Sequence, residues 1–105
     1  MKRFDVKYLP EAVKFLESIE IKAAQKLLYN ISKSQEIRDP RTFKKLMNSN
    51  IWEFRAEYSS NQYRLFAFWD QRQNAYVVCT HGINKKTPQK EIEKAEQIRK
   101  KYLGL

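Results

Sequence analysis

The sequence is poor in the residues that form cross-links, metal shells and membrane spans. It has one cysteine, one histidine, two glycines and three prolines in 105 residues. A single cysteine excludes an internal disulfide and suits a reducing compartment. One histidine and one cysteine without clustered carboxylates cannot fill a tetrahedral metal shell. No run of about 18 apolar residues is present, and charges interrupt the N-terminal stretch MKRFDVKYLPEAVKF, so neither a membrane span nor a signal peptide is expected. We therefore expect a cytoplasmic protein without metal or cofactor.

Positive charge is what the sequence has in excess. It carries 21 lysines and arginines against 12 aspartates and glutamates, a net charge of +9. Residues 41–105 hold thirteen basic and six acidic side chains, whereas residues 1–40 hold eight and six. An excess concentrated in the second half predicts a polyanionic partner, with nucleic acid favoured over an anionic membrane surface. The alternative is a soluble basic protein without such a partner.

The hydrophobic pattern predicts a single α+β domain over residues 1–105. Alternation in RFDVKY (3–8) indicates a strand, and two apolar stripes, after Pro10 and from Ile21 to Ile31, indicate a helical hairpin. Strands are predicted at 52–58, 63–69 and 76–81, and a closing helix from 88 to about 102, with Thr87 as its N-cap. The strand YRLFAFW is apolar on both faces and is predicted to be central. The expected fold is an N-terminal strand and helical hairpin packed on a mostly antiparallel sheet of about four strands, with a C-terminal helix.

Strand register decides which polar residues meet on the sheet. With turns at 59–62 and 70–75, Arg64 is expected to lie opposite His81, and Arg55 shares the same sheet face. A slip of one residue in either hairpin would separate the three side chains.

Each of these residues also has a structural interpretation. Arg64 can form a cross-strand ion pair with Glu57, Arg55 can be a solvated charge, and His81 can be a hydrogen-bonded structural histidine. Cys79 lies in an apolar strand and is interpreted as a core residue rather than a nucleophile.

Two lysine pairs add cationic positions. Lys85 and Lys86 follow a glycine turn and directly precede the predicted helix start, where free backbone N–H groups favour an anion. Lys44 and Lys45 precede the first strand of the second half. Aromatic side chains that can stack on nucleic-acid bases lie among these charges: Trp52, Tyr58, Tyr63 and Trp69.

Four short blocks occur in order along the second half: FKKL at 43–46, WEFR at 52–55, YRLF at 63–66 and HGINKKT at 81–87. Together they resemble the RelE/ParE toxin superfamily, most closely its HigB-like, phage-derived branch. The resemblance covers essentially the whole chain. It implies a helical hairpin on an antiparallel sheet with a C-terminal helix, in agreement with the hydrophobic pattern.

The resemblance also implies a function. It indicates the toxin of a type II toxin–antitoxin system, an endoribonuclease that cleaves mRNA on the ribosome and inhibits translation, with a cognate antitoxin as partner. Two alternatives remain: a ParE-like toxin that inhibits DNA gyrase, and a non-catalytic RNA-binding or regulatory relative. The histidine and the Lys85–Lys86 pair weigh against the gyrase inhibitor.

Residue roles follow from the resemblance by position. Arg55 and Arg64 are expected to contact the scissile phosphate, Lys86 to supply a basic group after the last strand, and His81 to transfer a proton. No clear second acid or base is present. Further RNA contacts are expected at four residues: Lys44, Lys45, Tyr63 and Lys85.

Overall fold

The computed structural model describes residues 1–84 and 88–105. Their elements are β1 (Asp5–Tyr8), α1 (Pro10–Ser18), α2 (Ile21–Glu36), β2 (Phe43–Lys45), β3 (Ile51–Tyr58), β4 (Asn61–Asp70), β5 (Ala75–Ile83) and α3 (Gln89–Leu103). The predicted helical hairpin and C-terminal helix are confirmed. Helix α3 begins after Pro88, and its predicted N-cap, Thr87, lies outside the described residues. None of the described helices is long and apolar enough to span a membrane.

The described strands form one sheet in the order β1-β5-β4-β3-β2. Strand β1 is parallel to β5 and the other pairs are antiparallel. The predicted mostly antiparallel sheet is therefore confirmed, but with five strands. The additional edge strand β2 has only three residues, too few to show a period of two in the sequence.

Both faces of the sheet are covered, as predicted from the apolar pattern of β4. Helices α1 and α2 pack on one face, here called the α1/α2 face, over a core that includes Phe54 and Leu65. Helix α3 packs on the other, the α3 face, over Phe66 and Phe68. Strand β4 is the middle strand of the five, so its alternate side chains enter both cores.

A two-residue turn sets the register between β3 and β4. Ser59 and Ser60 have φ of 52° and 68°, which suits the right-handed twist of a tight hairpin. As a result Arg55 lies directly opposite Arg64. The predicted four-residue turn is wrong, and so is the predicted position of Arg64 opposite Glu57. The error shifts the pairing by two residues, so it leaves both arginines on the same face.

The left-handed turn predicts a stabilising substitution. A left-handed conformation costs a residue other than glycine about 1–2 kcal/mol, so Ser60→Gly is expected to raise the free energy of unfolding by about 0.5–1 kcal/mol. Chemical denaturation measures the change. The control Ser32→Gly, at an exposed position inside α2, is expected to lower it by about 0.5 kcal/mol. If both variants lose stability, the turn does not have this conformation.

A β-bulge in β5 reverses the direction of the side chains that follow it. The register of β5 against β4 shifts between Phe66 and Ala67, which leaves Cys79 without a partner. Cys79 packs in the α3-side core, and the adjacent Thr80 Oγ1 donates to a backbone oxygen of α3 at 3.2 Å. Two consecutive side chains thus face α3, and His81 faces the opposite side.

Candidate functional site

A solvent-open cavity of about 340 Å³ lies on the α3 face, between strands β2 to β4 and the start of α3. Its described lining contains four charged residues: Lys44, Glu53, Arg55 and Arg64. Strand pairing positions all four, because Lys44 lies opposite Glu53 and Arg55 lies opposite Arg64. We call this site the arginine cavity.

A buried carboxylate holds the two arginines side by side. Arg64 Nη1 donates to Glu53 Oε2 at 2.8 Å, and these side chains are only 12% and 2% exposed. Arg55 Nε lies 3.8 Å from the same oxygen and donates to the backbone oxygen of Arg41 at 2.9 Å. Like charges directly opposite on a sheet repel each other, and the carboxylate offsets that repulsion. Three cations and one anion leave the described lining with a surplus of positive charge.

Arg64, which lines the cavity, also carries an unused donor. Arg64 Nε is buried and has no hydrogen-bond partner among the described residues. A buried donor without a partner is unfavourable until a ligand satisfies it. Forked guanidinium donors bind phosphate and carboxylate oxygens with two parallel hydrogen bonds, so the arrangement suits an oxyanion.

The sequence pattern does not single out Glu53 as a site residue. Its place in the alternating strand suggested an ordinary polar position, and Glu57 was expected to pair with Arg64. Glu53 lies two residues before Arg55 in the same strand, and this spacing indicates that both side chains point to the same face of the sheet. Only the register, however, identifies Glu53 as the partner of Arg64.

His81 does not reach the arginine cavity. Arg64 lies opposite Gly82 and His81 lies opposite Leu65, so the predicted Arg64–His81 pair is wrong. The His81 ring stacks on Phe15 with centroids 4.3 Å apart, and its Nε2 lies 3.6 Å from Glu11 Oε2. The bulge is the physical cause, because it moves His81 to the α1/α2 face.

The other predicted site residues lie in several places. Lys44 lines the arginine cavity, whereas Lys45 lies opposite Trp52 and borders cavities on the α1/α2 face. Tyr63 is 6% exposed within the α1/α2-side core, so it has no free ring face for a base. Lys85 and Lys86 lie outside the described residues. The structure therefore brings together three of the predicted residues: Lys44, Arg55 and Arg64.

Cys79 is a core residue, as predicted. Burial raises the pKa of its thiol to about 12, and its Sγ lies 3.5 Å from the backbone oxygen of Phe66. A thiol held in the neutral form is a poor nucleophile. The described residues contain no group of three histidine, cysteine, aspartate or glutamate side chains placed to hold a metal ion.

Comparison with known proteins gives a family match and a set of similar folds. The family model described as "Phage derived protein Gp49-like (DUF891)" matches residues 14–100. A mutant of the E. coli toxin RelE in the free state aligns with a TM-score of 0.66 at 17% identity, covering 94% of this chain and 98% of that chain. The intact E. coli RelBE toxin–antitoxin complex aligns with a TM-score of 0.59 at 13% identity, covering 79% of this chain and 99% of that chain.

A third solved structure shares the fold. The toxin–antitoxin complex RelBE2 from Mycobacterium tuberculosis aligns with a TM-score of 0.58 at 17% identity, covering 75% of this chain and 95% of that chain. No curated protein matches the sequence at a significant level. The three structural matches agree with the described order of strands and helices and establish a RelE-like fold.

Proposed function

Because the chain belongs to the phage-derived Gp49-like family and has a RelE-like fold, we propose that it is the toxin of a type II toxin–antitoxin system. In this proposal it is a metal-independent endoribonuclease that cleaves ribosome-bound mRNA in the cytoplasm, inhibits translation and is neutralised by a cognate antitoxin. The observation that carries the proposal is the pair of arginines facing each other across β3 and β4 in an open cavity.

The chemistry of RNA cleavage explains why such a pair is useful. The ribose 2′-hydroxyl gives up its proton to a base and attacks the adjacent phosphate, and a 2′,3′-cyclic phosphate forms as the 5′-oxygen leaves and takes up a proton from an acid. The phosphate gains negative charge in the transition state of this step. Arg55 and Arg64 present forked donors to the non-bridging oxygens, and Lys44 adds a third cation on the neighbouring strand. Donors fixed in place before the reaction stabilise this developing charge without reorganisation.

Glu53 is best described as a positioning residue. Its Oε2 accepts from Arg64 at 2.8 Å and it is 2% exposed, so it acts through the arginine rather than on the RNA. Proton transfer by His81 is not retained, because that side chain lies on the other face of the sheet.

Lys85 and Lys86 remain proposed RNA contacts. They precede Pro88 in the chain by three and two positions, and Pro88 lines the arginine cavity. The resemblance of HGINKKT to the toxin motif supports a basic contribution from this segment, with Lys86 as the proposed catalytic group.

The proposal is tested with purified protein, a defined mRNA and translating ribosomes. We expect cleavage within the reading frame and growth arrest when the chain is expressed alone. A supercoiling assay with DNA gyrase is the parallel control, and no inhibition is expected there. Intact mRNA together with inhibited gyrase would replace the proposal with a ParE-like toxin, and RNA binding without cleavage would indicate a non-catalytic relative.

A further inference from the structure

A second site lies on the α1/α2 face of the sheet. A cavity of about 570 Å³ is lined by both tryptophans of the chain, Trp52 and Trp69, together with Tyr76. An adjoining cavity of about 240 Å³ shares Trp52 and Tyr76 with it. We call the two together the tryptophan cavity. Their combined volume is in the range of small-molecule binding sites.

The charge around the tryptophan cavity has one sign. Its described lining contains no aspartate or glutamate and five basic residues: Arg3, Arg38, Lys44, Lys45 and Arg99. Within the described chain only Arg99 of these five has an ion-pair partner, Glu96 at 3.9 Å. Burial raises the pKa of Tyr76, and the positive charges of Arg3 and Arg38 oppose that rise. The field of both arginines therefore reaches the tyrosine hydroxyl.

The aromatic rings of the cavity pack against one another, and the two tryptophans remain partly exposed. Trp52 stacks on Phe43 with ring centroids 4.9 Å apart. The ring centroid of Tyr76 lies 5.2 Å from that of Trp52 and 4.9 Å from that of Trp69. Both tryptophans are only half-buried at the margin of the core. Fixed, half-exposed aromatic rings beside cations are what nucleic-acid bases stack on in single-strand binding proteins.

The tryptophan cavity and the arginine cavity meet at the edge of the sheet. Lys44 lines both of them. Strand β2 lies at one edge of the sheet, and its consecutive residues Lys44 and Lys45 point to opposite faces. A chain of phosphates that leaves the arginine cavity can therefore cross β2 over these two lysines.

We propose that the tryptophan cavity binds a nucleotide of single-stranded RNA, with its base on Trp52 and Trp69 and its phosphate on Arg3, Arg38 and Lys45. It is a second subsite for the same strand that the arginine cavity holds, and to that extent it rests on the proposed function. The single sign of charge and the half-exposed indoles favour RNA over an acidic protein segment, which would need no stacking surface.

Intrinsic fluorescence tests this proposal directly, because Trp52 and Trp69 are the two tryptophans of the chain. The probe is an end-labelled single-stranded RNA decamer with 2′-O-methyl groups, which lacks the attacking hydroxyl and stays intact. Label anisotropy follows binding anywhere on the protein, whereas tryptophan quenching follows stacking in this cavity. We expect both signals to give the same dissociation constant.

The second test removes positive charge from the tryptophan cavity. Arg3→Ala combined with Lys45→Ala is expected to weaken binding about tenfold, and to lower the slope of log Kd against log salt by about 0.7 for each phosphate that is no longer neutralised. The control combines Lys14→Ala with Lys22→Ala, two exposed helical lysines, which removes the same charge away from the site. In the Arg55→Ala variant we expect the RNA still to quench tryptophan fluorescence, but at a higher RNA concentration than in the wild type.

Three results would overturn the subsite. The first is a rise in label anisotropy without quenching of tryptophan fluorescence. The second is an equal loss of affinity in the Arg3/Lys45 and Lys14/Lys22 double variants. The third is binding of AMP or of a decameric glutamate peptide as tightly as the RNA. AMP would indicate a free-nucleotide site, and the peptide would indicate a protein partner. Quenching by RNA without any mRNA cleavage would refute only the proposed enzymatic function, whereas cleavage without quenching would refute only the subsite.

Discussion

Replacing Arg55 with alanine is expected to slow mRNA cleavage by about 10²- to 10³-fold while the protein stays folded. The Arg55 side chain is 25% exposed, and its approach to Glu53 is long, at 3.8 Å. Its removal therefore leaves the tighter Arg64–Glu53 pair in place. The effect should fall on the rate constant at saturating ribosome complex, because the added phosphate charge exists only in the transition state. Single-turnover cleavage on programmed ribosomes measures that constant.

Arg72→Ala is the matched control for this variant. Arg72 lies in the turn after β4, its side chain is 67% exposed, and its loss removes the same charge. Its buried partner Asp70 keeps hydrogen bonds from the side chain of Gln73 and from the backbone N–H of residue 72. We expect cleavage by this control to stay within about twofold of the wild type, since surface substitutions away from a site have small effects. Arg55→Lys should recover part of the activity, because it keeps the charge without the forked donors. Equal losses in Arg55→Ala and Arg72→Ala would remove the arginine cavity from the mechanism.

Arg64→Ala is expected to lower the free energy of unfolding by about 3–5 kcal/mol. Arg64 supplies the 2.8 Å hydrogen bond to Glu53, whose side chain is 2% exposed. Without the guanidinium, a buried carboxylate keeps only the distant Arg55 as a charged partner among the described residues. Urea denaturation measures the loss, and activity of this variant must be assayed well below its unfolding midpoint.

The double variant Glu53→Leu, Arg64→Met distinguishes two causes of the lost stability, namely an unpaired buried charge and the loss of side-chain packing. Replacing a buried ion pair by apolar residues of similar size is often neutral or stabilising, so the double variant is expected to be more stable than Arg64→Ala alone. It is also expected to be inactive in cleavage. If Arg64→Ala costs less than about 1 kcal/mol, Glu53 is solvated and does not position the arginine.

Hydrophobic periodicity in the sequence was enough to predict most elements. The stripe from Ile21 to Ile31 indicated α2, and the doubly apolar YRLFAFW indicated the central strand β4. Both signals are local, because each element must bury one or both of its own faces. The same alternation placed Arg55 and Arg64 on one face, and a turn error of two residues did not change that.

Local pattern could not predict the rest of the site, which depends on how strands meet. Hydrophobic pattern and composition predicted every element except β2, together with the excess of basic residues and the placement of the two arginines on one face. The pairing between strands was needed to show that Glu53 is their buried partner and that the bulge at Cys79 turns His81 to the other face. Register and bulges depend on turn geometry and on pairing between strands. A single unpaired residue exchanges the two faces for every side chain beyond it.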